Sequence, residues 1–149
     1  MDRRLSFKSE MILSGFKVKK LYKLMCSSVG QEYTLTQNEM DILLFLSTYK
    51  EIDTAKELTQ YLMCSKALIC KSVDALIKQE YLIPIQDQQD RRCIHLKITQ
   101  TADPVIEELN AIQQKFINII YAGVTLREMK VLERVLYKMN QNIQEACKL

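Results

Sequence analysis

Three glycines and two prolines in 149 residues leave this chain few places to break a helix. A chain so poor in helix breakers is expected to fold mostly as long helices joined by short turns. Between Phe7 and Val29 the residues Phe7, Met11, Val18, Leu21, Met25 and Val29 recur at steps of three and four, with Ser14 filling the gap, which is one stripe of a long helix. Gly30 is the expected C-terminal stop. Gly15 inside that helix costs roughly 1 kcal/mol relative to alanine and is either tolerated or marks close packing.

Three capping boxes mark further helix starts, each setting a hydroxyl three residues before a glutamate: Thr36 with Glu39, Thr54 with Glu57, and Thr125 with Glu128. The first opens a helix to about Tyr49 with Met40, Leu43, Leu44 and Phe45 or Leu46 inward, and the second a helix to about Leu62 with Leu58 and Leu62 inward. A turn at Met63-Cys64 leads to a third, from Ser65 to about Tyr81, that buries Ile69, Val73, Leu76 and Ile77. Ser65, Leu68, Lys71, Ser72 and Ala75 fall on its other side.

The periodicity then changes from helical to two. Leu82-Ile83-Pro84-Ile85 and Cys93-Ile94-His95-Leu96-Lys97-Ile98 flank the polar run from Gln86 to Arg92, a β-hairpin with a long charged tip. Pro84 cannot donate to a ladder, so its strand is expected at an edge or to begin pairing late. After Thr99 or Thr101 as N-cap, a helix runs to about Ala122 with Pro104 in its first turn and Val105, Leu109, Ile112, Phe116 and Ile119 along one face. Gly123 breaks it, and a last helix from Thr125 carries Leu126, Met129, Leu132, Leu136, Met139 and Ile143.

The order is mainly helical with one small hairpin: a winged helix-turn-helix at about 35–99, flanked by long helices at about 5–29 and 100–147, in a single domain spanning 1–149. The outer helices carry more apolar surface than one domain hides easily, with Ile106, Ile117, Ile120, Val131 and Val135 widening their stripes. Helix-mediated dimerisation is the expected outlet.

Composition narrows the function classes. At 48% hydrophobic and 26% charged, the chain is neither disordered nor a fibrous repeat. Its longest apolar run, Ile42 to Leu46, falls far short of the roughly 20 residues that span a bilayer, and its first residues lack the apolar stretch of an export signal. A cytoplasmic location without a membrane partner is expected. Five cysteines, without CxxC pairs and with one histidine, form no familiar zinc site and read as reduced thiols. No nucleophile with its base, glycine-rich phosphate loop or HExxH segment appears, so neither catalysis, a metal nor a cofactor is expected. The net charge of +3 names no partner, but residues 1–24 carry seven basic side chains against two acidic ones. That surplus suits either a polyanion contact or a solvated helix face.

The chain resembles the multiple-antibiotic-resistance regulator (MarR) family of bacterial transcription factors over its whole length. The resemblance is carried by Leu35-Thr36-Gln37-Asn38-Glu39, by Lys56-Glu57-Leu58, by Lys71-Ser72-Val73-Asp74-Ala75-Leu76, and by Asp87-Gln88-Gln89-Asp90-Arg91-Arg92 leading into Ile94-His95-Leu96-Lys97-Ile98-Thr99. The Asp-x-x-Asp-Arg-Arg wing is its most specific part. Tyr81 and Ala102 stand where the family often has glycine.

The resemblance implies a homodimer that reads a pseudo-palindromic operator in double-stranded DNA as a repressor, released by a small lipophilic or aromatic effector. On the recognition helix, Ser65, Lys66, Ala67, Leu68, Lys71 and Ser72 are the candidates by position: Lys71 for guanine or phosphate, the serines for either, Leu68 for a thymine methyl. At the wing, Arg91 and Arg92 suit a narrow minor groove, and the family pattern makes Arg92 the inserted residue and Asp90 its brace. Phe16, Tyr22, Phe45 and Phe116 are large enough to line an effector pocket, with core packing as the alternative for each. Two rival readings stand beside this one. The first is a thiol switch, for which Cys26 follows Lys23 by one turn of the first helix, and the second is a winged helix that binds only protein. His95, on the polar side of its strand, shows no companions in the sequence.

Overall fold

A computed structural model describes residues 7–147. The expected start of the first helix near residue 5, and the side chains of Arg3, Arg4, Phe7 and Lys8, lie outside the described residues. The elements run α1 (Phe7–Glu32), α2 (Gln37–Thr48), α3 (Ala55–Tyr61), α4 (Lys66–Lys78), β1 (Leu82–Gln86), β2 (Ile94–Ile98), a short 3-10 turn (Gln100–Ala102), α5 (Asp103–Ile120) and α6 (Leu126–Cys147). The chain divides into two compact units, Met1–Phe116 and Ile117–Leu149, with the division inside α5.

The capping boxes at α2 and α3 form as the spacing predicts, each threonine accepting from the glutamate's backbone N–H while the glutamate bonds back. Thr125 and Glu128 do the same ahead of α6. Gly123, at φ 80°, follows the end of α5 as expected, but Gly30 is not the stop of α1. α1 runs through Gly30, and the left-handed residue past its end is Thr34, at φ 55°. Met63 and Glu80 fill the same place after α3 and α4, at φ 52° and 62°. At Glu80 the turn is complete: its N–H reaches the Ile77 carbonyl and that of Tyr81 the Leu76 carbonyl. Gly30 serves packing instead, since a Cβ there would sit 2.9 Å from the Leu35 backbone oxygen and 3.2 Å from Met40 Cε. Gly15 faces open space in this chain.

The core of the first unit gathers Cys26 and Val29 of α1, Ile42, Leu43 and Leu46 of α2, Leu58 of α3, Ile69, Val73 and Leu76 of α4, Leu82 and Leu96 of the hairpin, and Val105 and Leu109 of α5. β1 and β2 pair antiparallel with Pro84 opposite Leu96, and Pro84 indeed lies on the outer strand. On the other flank of β2, His95 makes a single bridge to Thr54, and the Leu96 N–H reaches the Asp53 carbonyl at 2.6 Å. The hairpin is thereby tied to the turn that precedes α3. Leu96 and Ile98 pack inward as the alternation predicts, while Ile94, nearer the tip, is exposed.

The expected stripes of α1 and α6 are only partly buried: Val29 is buried and Leu21, Met25, Met129, Leu132 and Met139 are half-buried. Among the described side chains of α1, only Cys26 and Val29 are buried, and Met11, Ile12, Phe16 and Leu24 are more than half exposed. On α6, no residue is buried, and Leu126, Val131, Val135, Leu136, Tyr137 and Ile143 are exposed. α5 buries Val105 and Leu109 but leaves Ile119 in the open. Thr99 caps no helix with its side chain: its hydroxyl donates to the Glu80 carbonyl at 2.6 Å and pins the turn between α4 and β1. Ala102, at a position where the resemblance leads one to expect glycine, is fully buried.

Candidate nucleic-acid interface

α4 is built to show one side. Ile69, Val73 and Leu76 are buried at steps of four and three, so Lys66, Ala67, Leu68 and Lys71 of its first turns are exposed. Ser65 is the N-cap, its hydroxyl oxygen accepting from the Leu68 N–H at 3.2 Å, which leaves its O–H free to donate outward. α2 and α3 carry a capping glutamate in the first turn, whereas α4 has no acidic residue there. Its positive end is therefore not offset, and with Lys66 it offers a site for phosphate oxygens.

Ser72 departs from expectation. It is 3% exposed, and its hydroxyl accepts from the Asn38 side-chain amide at 2.7 Å, so it holds α4 against α2 and presents nothing to a groove. The sequence placed it on the open side because Ser72 sits between the buried and exposed arcs of α4. Asn38, which stands out in the sequence only as part of a motif, also accepts from the Cys64 thiol at 3.5 Å.

At the wing, a short loop is organised by two aspartates. One carboxylate oxygen of Asp87 accepts from the backbone N–H groups of Gln89 and Asp90, both at 2.7 Å. Asp90 in turn accepts from the Arg92 N–H at 3.0 Å. The Gln86 amide donates to the Arg91 carbonyl at 2.9 Å. These bonds hold the backbone and leave both guanidinium groups exposed, with no ion pair to either among the described residues. Accepting these N–H groups, together with the bond to His95, holds the Asp87 carboxyl below the usual carboxylate range.

His95 is not without companions. Its Nδ1 lies 2.6 Å from Asp53 Oδ1 and its Nε2 3.1 Å from Asp87 Oδ2. Asp53 stands 42 residues away, in the turn before α3, so only the fold brings it close. The polar alternation that places His95 and Lys97 on one face of β2 was the one available signal. Among the described residues no group of histidine, cysteine and carboxylate side chains is arranged to hold a metal ion.

The large aromatic residues considered as pocket lining are not gathered. Tyr22 and Phe116 meet edge to face at 5.2 Å, Phe45 packs on Tyr49 and Tyr61, and Phe16 is exposed. Cys26 is fully buried, and burial pushes its thiol up, the opposite of what a reactive thiolate needs. No helix among the described residues is long and apolar enough to cross a membrane.

Residues 33–92 match the model of the MarR family. The transcriptional regulator AdcR of Streptococcus pneumoniae is 29% identical over 135 residues, covering 88% of each chain. Among solved structures, a MarR protein from Peptoclostridium difficile superposes with a TM-score of 0.81 at 23% identity, covering 98% of this chain and 94% of its own. BpsR of Bordetella bronchiseptica, described as regulated in its DNA binding by 6-hydroxynicotinic acid, superposes with a TM-score of 0.70 at 14% identity over 91% of this chain and 96% of its own.

Proposed function

We propose, from the match of residues 33–92 to the MarR family model and the likeness to AdcR, that the chain is a DNA-binding transcriptional regulator of that family, acting in the cytoplasm as a homodimeric repressor of a pseudo-palindromic operator and released by a small lipophilic or aromatic effector. The observation that carries the DNA contact is the pairing of two cationic, unneutralised surfaces in one compact unit. These are the acid-free first turn of α4 with Ser65, Lys66, Ala67, Leu68 and Lys71, and the wing with Arg91 and Arg92. α4 enters the major groove by its N-terminal half, and Arg92, its backbone held by Asp90, enters the adjacent minor groove.

Dimerisation is supported by the apolar side chains left open on α1 and α6, since monomeric proteins rarely expose large apolar faces without a partner surface. A two-fold dimer carries two α4 helices, hence two half-sites about one or more helical turns apart. Effector release is supported by analogy alone, through the ligand-regulated fold relative BpsR. A selection of genomic fragments retained by the purified protein tests the operator: recovered fragments should share a two-fold symmetric motif. Recovery of fragments without a common motif would overturn sequence-specific reading.

A further inference from the structure

We propose that His95 is a positioning residue for the wing, an imidazolium clamp that fastens the loop bearing Arg91 and Arg92 to the turn before α3. The inference rests on the wing reading given above, since it supplies the reason for holding the wing still.

The argument is one of proton count. Both ring nitrogens face carboxylate oxygens, Nδ1 toward Asp53 at 2.6 Å and Nε2 toward Asp87 at 3.1 Å. A neutral imidazole has one N–H and one lone pair, so it satisfies one aspartate and turns a lone pair on the other. Only the doubly protonated ring donates to both. Asp87 is the residue that shapes the wing loop through Gln89 and Asp90, and Asp53 is held by its carbonyl to Leu96 and by its N–H to Glu57. The clamp therefore joins two segments that are already ordered, and protonation decides whether both ends are fastened.

The surroundings favour the cation. Asp53 and Glu57 face the ring from the α3 side, and Asp87 and Asp90 belong to the wing loop. The Cys93 sulfur lies 3.9 Å from Nε2, and Lys97 stands two residues along the same face of β2. Hydrogen bonds to Asp53 first and Asp87 second hold the imidazole above its usual value. The chain has no other histidine, so a titration of this ring is unambiguous.

The test has two arms on the full chain. In the first, the imidazole and the backbone amides of residues 87–92 are followed by NMR across pH without DNA. The amides should move with the midpoint of the ring, and that midpoint should fall in Asp87→Asn. In the second, a short mixed-sequence duplex is titrated by anisotropy at about pH 6, below the ordinary imidazole value, and at a pH above the midpoint found in the first arm. The native protein should bind about three- to tenfold more tightly at the lower pH, on the order of one ordinary hydrogen bond. His95→Gln should flatten that ratio while leaving the salt slope unchanged, because the residue touches no phosphate. If His95→Gln fails to fold, Asp87→Asn replaces it. Wing amides that ignore the ring's titration, or coincident pH profiles for native and variant, would overturn the clamp. Failure of the native protein to retain the duplex at either pH would instead count against the DNA surface, and the NMR arm would still decide the clamp.

Discussion

The Asn38 amide donates to the buried Ser72 hydroxyl at 2.7 Å and so joins α2 to α4 across 34 residues of sequence. Its carbonyl oxygen accepts from the Cys64 thiol in the turn that leads into α4. One side chain thus sets both the rotation of the proposed reading helix and its approach. Asn38→Ala should lower unfolding free energy by about 1–2 kcal/mol, and Ser72→Ala by about 1 kcal/mol, the usual range for a lost partner of a buried polar group. Urea denaturation of the two single variants and the double variant gives the coupling. Strict additivity of the two losses would contradict a shared bond.

Non-glycine residues in the left-handed region store strain that glycine would relieve. Thr34→Gly and Glu80→Gly should each stabilise the fold by about 0.5–1 kcal/mol, the relief of about 1–2 kcal/mol being offset in part by a freer unfolded chain. Gly30→Ala should do the reverse, since its Cβ meets the Leu35 backbone oxygen. Thermal melts of the three variants check the signs, and a stabilised Gly30→Ala would contradict the contact.

Stability should fall on both sides of neutrality for different reasons. Glu57, bonded by the Thr54 hydroxyl and by the backbone of Asp53 and Thr54, has a folded pKa below its usual value. Its contribution is present above the unfolded carboxylate value and is lost as pH falls through the folded one. His95 has a raised folded pKa, so its contribution is complete below about 6.5 and is lost as pH rises through the folded value. Melting temperatures across pH should show Glu57→Gln removing part of the acid limb and His95→Gln part of the alkaline limb. An acid limb unchanged in Glu57→Gln would argue against the cap as its source.

Thiol reactivity should follow burial. In the native protein Cys147 should be alkylated quickly and Cys26 only on unfolding, read by mass spectrometry after timed labelling. Rapid peroxide oxidation of Cys26 in the folded protein would revive the thiol-switch reading.

Local signals in this sequence carried well. The three capping boxes, the hairpin around the Gln86–Arg92 run and the outer position of Pro84 depend on neighbours within a few residues, and all are found. Gly30 is not a helix stop, because a scarcity of glycine does not say where the left-handed residue falls: Thr34, Met63 and Glu80 take that conformation instead. Ser72 and His95 were misjudged for a common reason. Their partners, Asn38 and Asp53, are distant in sequence, and no periodicity reports a side-chain bond between two separate turns or helices. The apolar stripes of α1 and α6 are legible in the sequence, but many of their side chains lie exposed.

The most direct test of the central claim is a salt-series anisotropy titration on a duplex recovered by the fragment selection, with a scrambled duplex as control. Native protein should bind the selected duplex tightly and with a steep salt slope. Arg92→Ala should weaken both duplexes and reduce the slope by about one, as the loss of one phosphate-region cation requires, whereas Lys71→Ala should narrow the difference between them if Lys71 contacts a base. Equal affinity of native protein and Arg92→Ala, with slopes that coincide, would contradict a DNA interface built on the wing.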